Sequence, residues 1–251
     1  DSGYKEVVLT GIHVGSYGKD LGNIGLIDII KMVHEVDGIE RLRMSSVEPM
    51  TFDENFISSL PKLHKLCRHF HLSLQSGCDE TLKRMNRKYT TQEYRDVVNK
   101  LRDIYPDVGI TTDIIVGFPG ETDEEFQKTL EFVEEMAFSS MHIFKFSPRR
   151  GTPAAKFKGQ VNPKVKDERS KIISKIAEKN HVKFMNYLKG KSLQVLYEQK
   201  VDEKSNFYEG LTDNYIRVMA EAAYDIKGKI INTKLNEIKG DIMIGSLEKI
   251  W

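Results

Sequence analysis

The stretch from Gly109 to Thr122, GITTDIIVGFPGET, constrains this chain more than any other. Ile110, Ile114, Ile115 and Val116 form a β-branched run, which suits a strand covered on both faces. The run stops at Gly117-Phe118-Pro119-Gly120. Two glycines let the backbone approach a ligand closely, and Pro119 fixes its path. Thr122 is placed to cap a following helix, with Asp123, Glu124 and Glu125 in the first turn, where acidic side chains favour the helix dipole. A parallel strand that ends in a Gly-rich turn is where α/β folds put ligands. The competing reading is an ordinary strand-to-helix turn.

The preceding chain repeats the pattern. Strands are predicted at Glu6 to Thr10, Arg41 to Ser46 and His69 to Leu74, and a further one at Met141 to Phe146. Between them lie helical segments. Leu26, Ile29, Ile30 and Val33 recur at helical spacing, a short helix follows Asp53, and others cover Glu80 to Met85, Thr91 to Ile104 and Glu124 to Glu135. Five β-α repeats with helical crossovers require mostly parallel strands. The strand ends Thr10-Gly11, Ser45-Ser46, Gln75-Ser76, Gly117 and Ser147 to Arg149 then gather on one rim. Ligand sites of α/β barrels sit on that rim. Five strands are few for a closed barrel, so either the sheet is open or further elements precede residue 1.

After Pro163 the character changes. Pro163 to Leu188 reads as one long helix, with Ile172, Ile173, Ile176 and Ala177 on one side and Lys171, Lys175, Lys179 and Lys183 as a basic stripe beside them. Residues 151–188 hold nine Lys and Arg against three Asp and Glu, although the whole chain has a net charge of only +1. A basic segment between acidic and neutral ones points to an anionic partner near the joint. Beyond it, SLQVLY, FYEGL, YIRVM, GKIINTKL and DIMIGSL are short strands with turns between them, the pattern of a small antiparallel barrel. The predicted fold class is therefore α/β, a partial parallel (β/α) barrel over 1–160, a basic linker helix over 161–188 and a small all-β barrel over 189–251.

Apolar residues are 39% and charged residues 30% of the 251, a globular balance. No run of about 18 apolar residues is present, so no membrane helix is expected. The start, DSGYKEVVLTG, enters a strand without a signal peptide. Cys67 and Cys78 are the only cysteines, which argues for a reducing compartment and a cytoplasmic protein.

Taken together, EVVLTGIHVGSYG, RLRMSSVEP, HLSLQSGCDETLKRMNRKYT, TDIIVGFPGET and FSPRRGTPAA resemble the radical S-adenosylmethionine methylthiotransferase family. The tail, EGLTDNYIRVM with KGKIINTKL and IMIGSL, resembles that family's RNA-binding TRAM module. LTGIHVGSYG and LQSGCDETLKRMNRKYT most resemble the branch acting on threonylcarbamoyladenosine in tRNA. The isopentenyladenosine branch more typically has a Gly-Gln-Asn turn after the first strand, and the ribosomal-protein branch acts on an aspartate. The resemblance implies a [4Fe-4S] cluster that cleaves S-adenosylmethionine to a radical, which takes hydrogen from C2 of adenosine 37 in the anticodon loop. A second cluster supplies sulfur, and a methyl group is added.

The family's Cys-x3-Cys-x2-Cys loop is absent from this sequence. Cys67 and Cys78 are eleven apart and match no cluster spacing, and thiolates are what such clusters require. The chain is therefore expected to be the carboxyl-terminal part of a longer enzyme, itself without a cluster and inactive. His69 and His71 share a strand face, but with His13 they complete no metal-ligand pattern, so no metal site is predicted.

The resemblance assigns cofactor binding to the strand ends. Gly11 and Ile12 fall where the family holds the methionine part, and Gln75 and Ser76 where a hydrogen bond reaches the ribose or methionine. Ile115 and Gly117 offer backbone groups to an adenine edge, Phe118 a stacking face, Asp113 a carboxylate and Arg149 a carboxylate clamp. The competing structural readings are a helix cap for Gln75, an ion pair with Arg43 for Asp113 and core packing for Phe118. RNA contacts are assigned to Lys171, Lys175, Lys179 and Lys183, with Tyr208 and Tyr215 stacking on loop bases and Arg217 on a phosphate. An RNA-binding protein without chemistry is the alternative class. The exposed first strand invites self-association.

Overall fold

A computed structural model describes residues 3–248 apart from Lys19 and Asn23. The outermost residues of the ranges 1–160 and 189–251 thus lie outside the description. The first part runs β1 (Glu6–Leu9), α1 (Leu26–His34), β2 (Arg41–Met44), α2 (Glu54–Ser59), β3 (His69–His71), α3 (Asp79–Arg84), α4 (Thr91–Ile104), β4 (Gly109–Val116), α5 (Asp123–Met136) and β5 (Ser140–Lys145). β1 pairs with β2, and β4 lies between β3 and β5, all parallel. Parallel bridges from Leu42 to Leu66 and from Val47 to Leu72 join the two sheets. The strands thus follow chain order in a partial barrel. Among the described residues β1 has no strand on its outer side.

Local signals explain where the elements begin. Thr122 and Glu125 form a reciprocal capping box at the start of α5, and Thr90 and Glu93 do the same for α4. Asp53 accepts from the Phe56 amide at the start of α2. Inside, Leu42, Phe70, Leu72, Tyr94, Leu101, Ile110, Ile114 and Phe138 are completely buried. Strand alternation divides β4. Ile110, Thr112, Ile114 and Val116 face the helices, and Thr112 Oγ1 lies against Tyr94 of α4. Thr111, Asp113 and Ile115 face the barrel interior.

Helix α6 (Pro163–Leu188) spans the predicted range. Its 26 residues extend about 39 Å at roughly 1.5 Å per residue, enough to run the depth of the sheet. It starts at the rim, where Lys166 Nζ donates to Phe146 O at 2.8 Å. Near the other end His181 Nδ1 donates to Ser139 O, just before β5 begins.

Five strands, β6 (Ser192–Lys200), β7 (Phe207–Thr212), β8 (Arg217–Glu221), β9 (Ile230–Lys239) and β10 (Ile242–Leu247), close a barrel in the order β10-β8-β7-β6-β9. The sequence predicts antiparallel pairing throughout. Four seams are antiparallel, but β10 pairs with β8 in parallel. Parity requires this, because a closed ring of five strands cannot alternate direction all the way round.

The barrel docks on the amino ends of the parallel strands. Arg41 donates to Leu211 O and Gln194 O, Arg43 donates to Thr212 O and Asp213 O, and Arg68 bridges Asp107 and Asp213. Gly109 begins β4 against Asn214, where a Cβ would run into the Asn214 carbonyl. The joint therefore lies at the amino ends of the strands, opposite the rim.

Candidate functional site

Two clefts occupy the rim. One, of about 870 Å³, is bounded by Ile12 to Tyr17, Ser46 to Glu48, Ser73, Gln75 and Arg87. The other, of about 450 Å³, is bounded by Gln75, Asp113, Ile115, Phe144 and Arg149 among others. Gln75 is common to both. Its backbone is held on each side, the amide donating to Asp113 O and the carbonyl accepting from Ile115 N. Its φ of 70° is left-handed, a conformation that costs about 1–3 kcal/mol in a non-glycine residue. The strand ends here, and Gln75 turns its side chain between the two clefts.

The Gly-rich turn is held from beneath by α6. Gly117 has φ +71°, and a Cβ there would collide with the Lys166 side chain. The Gly117 amide donates to Glu121 Oε2 at 2.6 Å. Arg169 Nη1 donates to the same oxygen at 2.6 Å, and Nη2 donates to Asp123 Oδ1. Lys166 and Arg169, both buried, belong to the basic segment but face inward. Their helical spacing relative to Ile173 was the signal available in sequence.

The structure brings Gln75, Asp113, Ile115 and Arg149 together around one cleft. Ile12 borders the other cleft and is 98% exposed, beside exposed Gly11. Two assignments are corrected and two are narrowed. Ser76 is completely buried and its hydroxyl meets Thr129 Oγ1 at 3.2 Å, so it does not reach the rim. The amides of Ile115 and Gly117 are already donated to Gln75 O and Glu121, so neither N–H is free for an adenine edge. Phe118 is buried edge-to-face against Phe146 and Phe157, so its ring packs the core. The alternative pairing of Asp113 with Arg43 does not form, because Arg43 binds Glu6 and the small barrel.

Asp113 instead meets His71, Nε2 to Oδ2 at 3.2 Å. Burial works against its ionisation, but the closeness of His71 and the charges of His71, His142 and Arg87 outweigh it and hold the carboxyl below its ordinary value. His142 on β5 is in register with Asp113. The sequence reading missed this set because strand register is not visible in sequence.

The RNA residues are dispersed. Lys171, Lys175, Lys179 and Lys183 are all exposed along α6, and Lys179 pairs with Glu134 at 3.2 Å. Tyr208 is buried in the small barrel, which corrects its assignment as a stacking face. Tyr215 stacks on His69 with centroids 4.2 Å apart, at the joint, while Arg217 is exposed.

An iron–sulfur cluster does not fit the cysteines. Cys67 and Cys78 are both buried, on the segment before β3 and at the start of α3. Burial pushes the Cys67 thiol up to about 12, and Cys78 is raised by burial and by its hydrogen bond to Glu80. Cluster ligation requires several convergent thiolates.

Residues 1–133 match the Radical SAM superfamily. The threonylcarbamoyladenosine tRNA methylthiotransferase MtaB of Bacillus subtilis is 39% identical over 94% of this chain and 53% of its own length. MtaB of Thermotoga maritima is 46% identical over 78% of this chain and 45% of its length. The tRNA-2-methylthio-N(6)-dimethylallyladenosine synthase of Alkaliphilus oremlandii is 41% identical over 95% of this chain and 51% of its length. The chain thus spans about half the length of these curated relatives. Coproporphyrinogen III oxidase HemN of Escherichia coli shares the fold, with a TM-score of 0.57 at 13% identity, over 83% of this chain and 54% of that one. A partial parallel barrel with its clefts on the carboxyl rim, matched along its sequence to these proteins, places this chain in the Radical SAM superfamily, with its similarity to methylthiotransferases running through the small barrel as well.

Proposed function

We propose that this chain is the cofactor-holding and RNA-holding part of a cytoplasmic tRNA methylthiotransferase that adds a methylthio group to C2 of threonylcarbamoyladenosine at position 37. The observation that carries this reading is the pair of rim clefts meeting at Gln75, in a chain whose relatives are named for that chemistry. Both cleft volumes fall in the range of small-molecule sites. The smaller cleft combines apolar walls from Ile115 and Phe144 with Asp113 and Arg149, a donor set that fits S-adenosylmethionine. When bound, that cofactor supplies the methyl and adenosyl groups. The chain's own residues orient it, Arg149 toward its carboxylate and Gln75 between the clefts. The cluster thiolates are not supplied by this chain's two cysteines, so the chain by itself is inactive.

In this reading residues 1–160 form the cofactor core, 161–188 the basic linker, and 189–251 a TRAM-like module. The lysine stripe runs along α6 from rim to joint, so an anticodon stem can lie along the helix with its loop at the rim. Fluorescence anisotropy with labelled anticodon stem-loops is the test. Tighter binding of a loop carrying threonylcarbamoyladenosine than of its dimethylallyladenosine counterpart is expected. The 41% identity to a dimethylallyladenosine synthase supports the second branch, and the reverse preference would establish it. Absence of RNA binding would overturn both. RNA binding without S-adenosylmethionine uptake in equilibrium dialysis would favour a non-catalytic RNA-binding protein.

A further inference from the structure

His71, Asp113 and His142 come from three adjacent parallel strands and point into the barrel beneath the smaller cleft. One ligand atom from each lies within 4.8 Å of the others. β3, β4 and β5 are in register such that His71 sits opposite Thr111, and Asp113 opposite His142. Inward-facing positions therefore step across the sheet and converge. The His71 Nε2 atom is buried and makes no well-aligned hydrogen bond, although Asp113 Oδ2 is only 3.2 Å away. An imidazole nitrogen and a carboxylate oxygen facing each other without a good hydrogen bond are the donor pair a cation would bridge.

The surroundings orient His71 for that role. His71 Nδ1 lies 2.9 Å from Thr111 Oγ1, and the same hydroxyl lies 3.0 Å from His69 Nε2. With the hydroxyl donating to His69 and accepting from His71 Nδ1–H, His71 Nε2 keeps its lone pair toward Asp113. Metal-bound histidines are held by such a partner on the second ring nitrogen.

We propose that His71, Asp113 and His142 form a mononuclear site for a divalent first-row cation, with the open coordination positions facing the rim cleft. Two imidazoles and one carboxylate suit Zn²⁺, Fe²⁺ or Co²⁺ rather than Mg²⁺ or Ca²⁺, which prefer oxygen ligands. Ligands about 2.1 Å from an ion lie at most about 4.2 Å apart, so a small rotation of the exposed His142 completes the set. Because Asp113 also lines the cleft, the ion would lie at the floor of the trough and offer a Lewis acid to an oxygen or nitrogen of whatever fills it. The site uses no cysteine.

The probe is Co²⁺ alone, added to the chelator-treated chain and followed by visible absorption and calorimetry. One ion per chain with a d–d spectrum is expected. Asp113→Asn and His142→Gln should abolish stoichiometric binding. Thr111→Val, which removes only the orienting hydroxyl, should weaken it about 10–100-fold. His64→Gln, on an exposed histidine elsewhere, should leave it unchanged. Circular dichroism checks that each variant folds, and His142 is exposed enough that its replacement leaves the core intact. No Co²⁺ uptake, or uptake that survives both Asp113→Asn and His142→Gln, would overturn the site.

Discussion

Arg169 of α6 and Glu121 of the Gly-rich turn form an ion pair 2.6 Å long, with side chains only 6% and 1% exposed. Glu121 also accepts the Gly117 amide, so one carboxylate ties the turn to the helix that runs on to the small barrel. Breaking a buried pair on one side leaves a charge without a partner, which costs about 3–5 kcal/mol. Arg169→Ala should therefore lower stability by about that much in urea unfolding. Arg169→Met combined with Glu121→Gln should recover much of the loss. A single-variant loss under about 1 kcal/mol would mean that water enters and solvates Glu121.

The two thiols should be slow to react. With Cys67 pushed up to about 12 and Cys78 also raised, neither is a thiolate at neutral pH, and alkylation in the folded state should lag far behind that in urea. The sign of the linkage follows. A folded-state value above the unfolded one means that the stabilising contribution is complete below about pH 8.5 and is lost as pH rises toward 12. Stability should fall above pH 8.5 by up to about 1.4 kcal/mol per pH unit through the Cys67 thiol. Cys67→Ala should flatten that slope, and an unchanged slope would contradict the burial argument.

Iron analysis after anaerobic reconstitution with iron and sulfide tests the cluster reading. No stoichiometric [4Fe-4S] absorption is expected, because the two buried cysteines lie on separate segments. A full cluster spectrum would show that other residues ligate it.

Changing Lys171, Lys175, Lys179 and Lys183 to Gln should weaken tRNA binding and flatten its dependence on salt. Each lost phosphate contact lowers the slope by about one unit. Lys179, already paired with Glu134, should contribute least. Folding stability should change little, since all four face solvent. An unchanged salt slope would mean that the RNA path lies elsewhere.

Among the described residues β1 has no strand on its outer side, and Val8 on it is half exposed. Unpaired edge strands recruit other strands. Light scattering should reveal concentration-dependent association that Val8→Lys reduces. A monomer at all concentrations would remove the edge from consideration.

Short-range chemistry was legible in the sequence. The β-branched run of β4, the cap at Thr122, the helix that follows Asp53, and the Pro163 start and Leu188 end of α6 depend on residues a few positions apart, and all lie where the sequence predicts. Parallel pairing and the common rim followed because β-α units of this length permit little else. Contacts between distant segments were decided by tertiary structure. Ser76 and Phe118 look like rim residues in the linear sequence, yet packing against Thr129 and Phe146 turns them inward. Arg169 and Lys166 count toward the basic charge of residues 151–188, but the pitch of α6 over the turn buries them. The parallel seam of the small barrel comes from the parity of five closed strands. The meeting of His71, Asp113 and His142 comes from the register of three strands, and register is set by hydrogen bonds between residues tens of positions apart, where no local pattern records it.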